Sequence, residues 1–365
     1  MKILAGFIED GRHSGIDKYL LNFREEAAKR GVTVDFLTSV PDEALIARLA
    51  EKGSRVFTVP NLRQGKEQEK EVCRLLKEGG YDLYYHNVSE PLNLQAARAA
   101  KKCGVKCFLH SHSSGMDREG KAERLLRGAV NSYYRHKLWK CGDGFFTCSP
   151  EAALWLYPEK IARRAKVIYN AVSFEKFAFS PADRARLRAE WGAGEEETIL
   201  FFAGNFSYVK NTLFLPEVLK EILKERNARL VLAGTGAYRE RLEEKIARMG
   251  LGERVCFLGV RDDMPALFSA ADLFLLPSLF EGLPVTLIEA QASGLPALAG
   301  VSVTRLADVS GRVRFLDFSP SLWAKEAKAL LAAGRREADI SPEFREKFDL
   351  SHQKKQWFTE FFNEK

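Results

Sequence analysis

The sequence predicts an α/β protein made of two Rossmann-like, doubly wound domains. Short β-branched and aromatic runs alternate with helix-period segments from one end to the other, without hairpin signals between them. The alternation is interrupted once, over residues 170–181, and then restarts. A chain of 365 residues also exceeds what one hydrophobic core usually holds. Two domains joined near residue 170 are therefore expected.

The first half contains seven predicted strands, each a short apolar or aromatic run, with helix-period segments between them. The strands are predicted at 2–7, 33–37, 55–59, 82–86, 106–110, 144–148 and 166–169. The helices are predicted at 15–30, 41–52, 65–78, 91–103, 118–138 and 149–156. Strands that alternate with helices form a parallel sheet, and a ligand of such a sheet binds at the carboxyl ends of its strands.

The second half repeats the pattern after a polar, charged segment at 183–194. Its strands are predicted at 198–203, 229–233, 255–258, 273–277, 296–299 and 314–316. Its helices are predicted at 211–226, 237–249, 263–270, 284–293 and 320–333. Residues 351–363 carry four large aromatic side chains, which predicts a terminal amphipathic helix that docks on another part of the protein.

The composition of the chain limits the classes of protein to which it can belong. Hydrophobic residues make up 46% of the chain, yet no run of about 18 apolar residues occurs, so no spanning helix is predicted. Residues 1–8 resemble a first buried strand more than a signal peptide, because acidic residues follow at once. Six cysteines occur without a CxxC pair or a zinc-type spacing. A reduced, cytosolic chain without a structural metal is the expectation.

The net charge of +7 resides in the first half, where residues 1–170 hold 29 Lys and Arg against 21 Asp and Glu. The excess is greatest over 118–140, which contains seven basic and two acidic residues with aromatic and aliphatic residues between them. This composition suits an amphipathic helix on an anionic membrane surface. A solvated basic helix face explains it equally well. Nucleic acid is a weaker interpretation, because no nucleic-acid motif accompanies the charge.

The most informative segment is 278–295, which holds two carboxylates, Glu281 and Glu289, in apolar surroundings. Pro284 suits the first turn of a helix, so residues 282–286 form a loop that leads into a helix N-terminus. Such an end favours an anion, most often a phosphate. Alternatively, Glu281 is an ordinary polar residue at a helix start and Glu289 is a solvated helix position. The apolar neighbours of Glu289 argue against the second of these, because a buried unpaired carboxylate is costly.

Several other residues are candidates on weaker grounds. Lys210 follows strand 198–203 and suits a phosphate, although a surface lysine is the default interpretation. The turn at 233–236 has two glycines but lacks the dinucleotide fingerprint. The loop 9–15, with Gly15 at its end, suits close approach to a ligand or only a tight turn. His110 and His112 lie at the end of a predicted strand. A contact with a substrate hydroxyl or a position in the core is favoured for them over a metal site.

Together these residues resemble the retaining GT-B glycosyltransferases of the Glu-x7-Glu type, family 4, here Glu281 to Glu289. More narrowly, the chain is similar to bacterial exopolysaccharide and capsule glycosyltransferases of the EpsF type. The shared motifs are Val-Ile-Tyr-Asn-Ala-Val at 167–172, Phe-Ser-Tyr-Val-Lys-Asn at 206–211, Val-Cys-Phe-Leu-Gly-Val-Arg-Asp-Asp at 255–263, and 278–295. The resemblance implies two Rossmann-like domains facing a cleft: an acceptor domain, 1–170, a donor domain, 171–348, and a terminal helix, 349–365, returning to the first.

The resemblance also implies a role for each site residue. Glu289 would hold the ribose hydroxyls of the donor, and Glu281 would contact the transferred sugar. Lys210 would neutralise the leaving diphosphate. The remaining contacts would be His110 to the donor sugar, Gly15 in the acceptor and phosphate loop, the backbone at Arg261 to the base, and the amides of Gly282, Leu283, Val285 and Thr286 to the sugar and diphosphate.

Two residues depart from the family pattern. Asn205 stands where the family commonly has an arginine that binds the diphosphate. Arg12 or another cation of the first domain would replace that charge; otherwise stabilisation of the leaving group depends mostly on Lys210 and the helix dipole. Ser14 precedes Gly15 where a second glycine is frequent.

The implied reaction is transfer of a hexosyl unit from a nucleotide sugar, expected to be a UDP-hexose or UDP-N-acetylhexosamine, to a hydroxyl of a lipid-linked saccharide. No Asp-x-Asp motif occurs, so no metal or other cofactor is expected to be required. The expected location is the cytoplasm, at the inner face of the plasma membrane. The alternatives are another enzyme of the same fold, such as a nucleotide-sugar epimerase or a phosphorylase, and a non-catalytic partner that binds sugar nucleotides.

Overall fold

A computed structural model describes residues 1–9, 15–116, 119–194, 196–335 and 340–361, with only the backbone described at Lys121. The chain forms two compact units. The first comprises Met1–Asn170 together with the segment from Gln353 onward, and the second comprises Ala171–His352. Each unit contains one parallel β-sheet.

The first unit contains all seven strands that the sequence predicts. They are β1 (Lys2–Gly6), β2 (Thr33–Thr38), β3 (Val56–Thr58), β4 (Leu83–Val88), β5 (Lys106–Ser111), β6 (Gly144–Thr147) and β7 (Lys166–Val167). Their order across the sheet is β3-β2-β1-β4-β5-β6-β7, and every neighbouring pair is parallel. The order reverses between β1 and β4, which is the doubly wound arrangement.

Among the described residues of the first unit, seven helices connect these strands, and six of them were predicted. They are α1 (Gly15–Ala28), α2 (Glu43–Glu51), α3 (Gly65–Gly79), α4 (Gln95–Lys102), α5 (Lys121–Leu138), α6 (Pro150–Leu156) and α7 (Glu159–Ala162). Caps define several ends: Asp42 accepts a hydrogen bond from the Leu45 amide, and Ser149 accepts one from the Ala152 amide. Only the one-turn helix α7 lies outside the predicted set.

The second unit has the six predicted strands, again all parallel. They are β8 (Thr198–Ala203), β9 (Ala228–Ala233), β10 (Val255–Gly259), β11 (Leu273–Leu276), β12 (Ala297–Gly300) and β13 (Val313–Leu316). Their order is β10-β9-β8-β11-β12-β13, so the reversal falls between β8 and β11. Both units therefore have the same doubly wound topology.

The helices of the second unit include two that the sequence prediction missed, α8 and α14. They are α8 (Pro181–Glu190), α9 (Leu215–Ile222), α10 (Arg239–Arg248), α11 (Met264–Ala270), α12 (Val285–Ala292), α13 (Pro320–Ala333) and α14 (Pro342–Phe348). Single 3₁₀ turns occur at Leu62–Gln64, Trp139–Cys141, Thr212–Phe214, Gly252–Arg254 and Arg305–Ala307. A start signal precedes α8, because Ser180 caps it and Pro181 occupies its first turn.

The predicted terminal helix is α15 (Leu350–Phe361), and its aromatic face is buried in the first unit. Trp357 is fully buried and packs edge-on against Tyr19 and Phe23 of α1. Phe361 stacks on Phe146 of β6. The hydrophobic face that the sequence predicted thus completes one side of the first core.

The cysteines differ from the sequence expectation at one pair. Cys73 in α3 and Cys103 after α4 form a disulfide, with their Cα atoms 6.3 Å apart. The expectation of six reduced thiols is wrong for this pair, because α3 and α4 lie side by side and bring two cysteines 30 residues apart together. The other four cysteines, Cys107, Cys141, Cys148 and Cys256, form no disulfide within the described residues.

Within the part of the chain that the structure describes, no helix is both long enough and apolar enough to cross a bilayer.

The turn after β9 packs against the loop after β8, and two glycines make this contact possible. Gly234 has a φ of 130°, and a Cβ there would lie 2.0 Å from the Gly204 carbonyl oxygen. Gly236 has a φ of 150°, and a Cβ there would lie 2.1 Å from Asn205 Oδ1. These glycines serve close packing of two loops, in agreement with the absence of a dinucleotide fingerprint.

We expect Gly234→Ala to destabilise the second unit by about 2–4 kcal/mol, because the new methyl group meets backbone atoms and the φ angle is strained. Gly250→Ala is the matched control, since Gly250 has a φ of 69° but open space around it, and it should cost only about 1–2 kcal/mol. Urea unfolding of both variants measures the difference. Equal losses would show that the contact between the loops contributes nothing.

Candidate functional site

Two loops of the second unit meet at the carboxyl edge of its sheet, where the strand order reverses. One loop follows β8 and the other follows β11, and these two strands are paired neighbours. A backbone hydrogen bond of 2.8 Å from the Leu279 amide to the Val209 carbonyl joins the loops. Helices leave opposite faces of the sheet at such a reversal, which opens a crevice for a ligand.

Lys210 and Glu281 lie opposite each other in these two loops. The Lys210 Nζ atom is 2.5 Å from Glu281 Oε1, and the side chains are 22% and 12% exposed. The sequence predicted both residues as site candidates but not their contact, which depends on the pairing of β8 with β11. The result is an ion pair at the crevice that is reachable from solvent.

The helix that follows Glu281 begins at Val285, one residue after Pro284. The amides of its first turn lack partners within the helix, as at every helix start, and they line the same carboxyl edge. Gly282 and Leu283 are buried in the loop, whereas Val285 and Thr286 are partly exposed. This agrees with the predicted loop and helix start.

Glu289 lies on the second turn of α12 and is only 4% exposed. It is therefore not a solvated helix position. A neighbouring polar residue, Gln291, has a structural role, because its amide nitrogen donates to the carbonyls of Leu287 and Ala307 and its oxygen accepts from Ser310. Gln291 thus holds α12 to the loop before β13, which fixes the helix that carries Glu289.

Asn205 lies in the same loop as Lys210, and Arg261 lies in another loop of the same edge. Asn205 is exposed after β8. Arg261 follows β10, two strands away from β8, and forms a two-pronged ion pair with Asp263, with contacts of 2.7 and 2.6 Å. The Arg261 guanidinium lowers the pKa of Asp263. Its side chain is occupied, which leaves the backbone beside the exposed Val260 as the accessible surface of this loop.

In the first unit, His110 is fully buried near the end of β5. Its Nδ1 atom lies 2.5 Å from the Tyr85 hydroxyl, and its ring packs against Tyr19. Burial lowers the pKa of His110 well below 6.5, and the neighbouring His112 ring adds to this effect. The ring is neutral and has no exposed surface.

His112 comes just after β5 and is the partly exposed member of the pair. Its ring stacks on that of His110 with centroids 4.1 Å apart, and its Nε2 atom lies 2.8 Å from Asn87 Oδ1. Burial lowers its pKa to about 3. Stacked rings do not converge on one point, and among the described residues no group of three or more His, Cys, Asp or Glu side chains could hold a metal ion.

Sequence reasoning chose His110 and overlooked Asn87. The available signal was position: Asn87 is in β4, the strand beside β5, and pairs in register with His110. Side chains two residues apart share a face of a strand, so His110 and His112 lie on the same side of the sheet, and His112, beyond the last residue of β5, is the more exposed of the two.

Gly15 is the first residue of α1, and a Cβ there would meet nothing within 4 Å. No close approach within the described chain therefore requires a glycine at this position. Arg12 and Ser14 belong to residues 10–14, which lie outside the described residues.

Helix α5 and the 3₁₀ turn that follows it present an exposed stripe that we call the α5 stripe: Leu125, Leu126, Tyr133 and Lys137 of the helix, and Lys140 of the turn. Leu125, Leu126 and Tyr133 are 80%, 70% and 58% exposed. Exposed apolar groups beside lysines are unusual on a surface that contacts only water. Arg118, at the start of the predicted basic segment, lies outside the described residues.

Comparisons with known proteins agree with this architecture. The family described as Glycosyl transferases group 1 matches residues 183–311, and Glycosyltransferase Family 4 matches residues 13–176. EpsF of Bacillus subtilis strain 168, a glycosyltransferase by name, is 30% identical over 354 residues, which cover 94% of this chain and 90% of EpsF. The UDP-Gal:alpha-D-GlcNAc-diphosphoundecaprenol alpha-1,3-galactosyltransferase of Escherichia coli is 29% identical over 67% of this chain and 65% of its own length.

Solved structures show the same fold. HepE of Anabaena, crystallised with UDP-glucose, aligns over the whole of both chains with a TM-score of 0.78 and 20% identity. Sucrose-phosphate synthase of Thermosynechococcus elongatus aligns over 99% of this chain and 98% of its own, with a TM-score of 0.78 and 19% identity. With two doubly wound units, both family matches and the relation to EpsF, the chain belongs to the glycosyltransferases of the GT-B fold that include EpsF.

Proposed function

We propose that this glycosyltransferase moves a hexosyl unit from a UDP-sugar to a hydroxyl of a lipid-linked saccharide, with retention of the anomeric configuration. The observation that carries the proposal is the Lys210–Glu281 pair at the reversal of the second sheet, beside the start of α12. The name of the Escherichia coli relative, which includes a UDP-sugar and a diphosphoundecaprenol acceptor, supports the substrate classes. The UDP-glucose complex of HepE supports the donor.

In this proposal the donor nucleotide lies along the carboxyl edge of the second sheet. Glu289 accepts hydrogen bonds from the ribose hydroxyls, and the backbone at Arg261 meets the base. The diphosphate receives hydrogen bonds from the amides of residues 282–286 at the positive end of α12. The burial of Glu289 supports this role, because a carboxylate at 4% exposure forms stronger hydrogen bonds than one in water.

Lys210 stabilises the leaving diphosphate by exchanging partners. Before the donor binds, its ammonium group is held by Glu281 at 2.5 Å. Donor phosphates offer more negative charge than one carboxylate, so the ammonium group turns to them, and Glu281 becomes available to the hydroxyls of the sugar. Charge that develops on the leaving group is thereby met by a cation already in place, which is electrostatic catalysis. Asn205 contributes no charge here, so stabilisation of the leaving group depends on Lys210 and α12.

In the first unit, the residue that this proposal assigns to sugar transfer is His112, beside His110. His110 has no exposed surface, whereas His112 lies beyond the end of β5 and is partly exposed. We therefore regard His110 as a residue that positions His112. The His112 ring is neutral and introduces no buried charge, and its Nδ1 atom is a buried acceptor without a hydrogen-bond partner among the described residues.

The lipid part of the acceptor suggests that the enzyme works at a membrane surface. The α5 stripe places apolar side chains next to lysines, and this combination binds anionic lipid. A peripheral position at the inner face of the plasma membrane would bring the acceptor to the first unit.

The donor proposal is tested by thermal unfolding with a panel of nucleotide sugars. A ligand present at 100 times its Kd stabilises the native state by about 2.7 kcal/mol, so a UDP-sugar should raise the melting temperature by several degrees. GDP-sugars serve as the control. Incubation with the UDP-sugar alone should leave the sugar unchanged apart from slow hydrolysis.

Each contrary result identifies another function. Failure of every UDP-sugar to stabilise the protein contradicts the donor assignment. Conversion of the sugar without an acceptor indicates an epimerase. Nucleotide binding without transfer to a lipid-linked saccharide, in an Asn205→Arg variant as well as in the parent, indicates a non-catalytic partner.

Glu289→Gln and Glu281→Gln should differ in kinetics. Loss of the ribose contact raises the donor KM by about tenfold, because a charged hydrogen bond contributes about 1.5–3 kcal/mol. Loss of Glu281 at the sugar should lower kcat by a similar factor and leave the donor KM nearly unchanged. Steady-state assays of both variants measure this.

Gln291→Glu is not a suitable control, because Gln291 supports α12. Exposed Glu240 of α10 is suitable, and Glu240→Gln should leave both constants unchanged. If the two site variants change KM and kcat in the same way, the separate roles of Glu281 and Glu289 are refuted.

Charge reversal on the α5 stripe should release the protein from membranes. Lys137→Glu with Lys140→Glu should weaken binding to anionic liposomes at low salt by more than about tenfold, since each basic residue near such a surface contributes about 1 kcal/mol. Lys160→Glu with Arg164→Glu is the matched control, because these residues are also exposed on the first unit. Cosedimentation measures both. Equal binding of the two variants would contradict the lipid role of α5.

A further inference from the structure

A chain of buried hydrogen bonds runs from α15 to the histidine pair at the end of β5. Trp357 Nε1 donates to the Tyr19 hydroxyl over 2.7 Å. The Tyr19 and Tyr85 hydroxyls are 2.7 Å apart, and the Tyr85 hydroxyl is 2.5 Å from His110 Nδ1. All four side chains are buried, and separate helices and strands hold them: α1, β4 with β5, and α15.

The chemistry of Trp357 gives this chain a direction. An indole N–H can only donate, so the Tyr19 oxygen accepts from it. The single hydroxyl proton of Tyr19 is then directed to the Tyr85 oxygen, and the proton of Tyr85 to His110 Nδ1. Burial raises the pKa values of both tyrosines, so both hydroxyls keep their protons. His110 Nδ1 must therefore be the acceptor, and its proton is on Nε2.

The tautomer of His112 is determined separately, by Asn87. The Asn87 amide nitrogen donates to the Tyr85 carbonyl over 3.2 Å, which leaves Oδ1 as the atom that faces His112 Nε2 at 2.8 Å. His112 therefore carries its proton on Nε2 and has a lone pair on Nδ1. Both rings are neutral and have the same tautomer, and they stack with an interplanar angle of 24°.

We propose that Trp357, Tyr19 and Tyr85 are positioning residues: they fix the tautomer and orientation of His110, and the stacked His110 ring holds His112 in the orientation that sugar transfer requires. The tautomer part stands on geometry alone. The part about sugar transfer rests on the proposed function. In this arrangement α15, which begins only at Leu350, supports a histidine of the first unit.

An isosteric aromatic core would not need these polar groups. Phenylalanine could take the place of either tyrosine in the packing, and buried hydroxyl and indole N–H groups stabilise the fold only if each finds a partner. Here every hydroxyl has a partner on both sides, and only one arrangement of protons lets both tyrosine hydroxyls donate. Such a network specifies one orientation of its last member.

The tautomers can be measured without any assay of activity. In protein with ¹⁵N-labelled imidazoles, the nitrogen chemical shifts distinguish protonated from unprotonated ring nitrogens. We expect His110 and His112 both to show protonated Nε2 and unprotonated Nδ1, assigned with a His110→Gln variant. Tyr85→Phe and Trp357→Phe should change the His110 shifts, because the donor to Nδ1 is lost or reoriented.

Tyr84→Phe provides a matched control. Tyr84 is the neighbour of Tyr85 in β4, is equally buried, and also bonds a histidine, since its hydroxyl lies 2.9 Å from His86 Nδ1. Its removal should alter the His86 shifts only. Phe361→Leu is a second control, because it loosens the packing of α15 against Tyr85 and Phe146 without removing a hydrogen-bond donor or acceptor side chain.

Transfer assays then test the positioning role. Tyr85→Phe and Trp357→Phe should each lower kcat by about fivefold, the scale of one neutral hydrogen bond, with the donor KM nearly unchanged. Tyr84→Phe and Phe361→Leu should retain kcat at temperatures well below their melting points. Thermal unfolding of all four variants corrects for any loss of folded protein.

Three results would overturn the proposal. A protonated Nδ1 on His110 in the parent protein refutes the direction of the chain, whether or not the protein transfers sugar. Unchanged His110 shifts in both Tyr85→Phe and Trp357→Phe refute the coupling. Changed shifts with full transfer activity refute the positioning role. By contrast, the expected shifts in a protein that binds no UDP-sugar would refute the proposed function and leave the tautomer assignment standing.

Discussion

The parallel pairing of β8 with β11 is the constraint on which the candidate site depends. These strands are neighbours in the sheet although two strands separate them in sequence, and the strand order reverses between them. Their following loops therefore leave the same edge and meet, joined by the bond between Leu279 and Val209. Lys210 and Glu281, 71 residues apart, become an ion pair only through this pairing. The first unit contains the same reversal, between β1 and β4.

The Lys210–Glu281 ion pair is better suited to an exchange of partners at Lys210 than to stabilising the fold. Both side chains retain contact with solvent, and ion pairs near a surface contribute only about 0–1 kcal/mol to folding. A diphosphate can therefore displace Glu281 from the ammonium group at little cost. Glu289 differs, because it is buried in a helix that Gln291 fixes by bonds on both sides. One carboxylate can thus move during a reaction cycle while the other remains a fixed contact, and their neighbours determine this difference.

Much of the fold could be predicted because buried parallel strands are continuous apolar runs in the sequence. All thirteen strands of the described residues were identified in this way. Helix α8 was missed since its surface is polar, although Ser180 and Pro181 mark its start. The disulfide between Cys73 and Cys103 depends on the packing of α3 against α4, which spacing does not reveal. Choosing between His110 and His112 required the exact end of β5, and strand ends are the least predictable feature of a sequence.

The contact between Trp357 and Tyr19 spans 338 residues and has a consequence for biosynthesis. While a ribosome makes the chain, β1 to β7 emerge long before α15, and the aromatic surface of α1 and β4 stays open to solvent. The first unit therefore cannot complete its hydrophobic core before the second unit has been synthesised. N-terminal domains, by contrast, commonly fold first during synthesis. The exposed groove of the first unit must persist, or be covered by a chaperone, until the second unit has been synthesised. Nascent chains that stall before Trp357 would present an aggregation-prone surface.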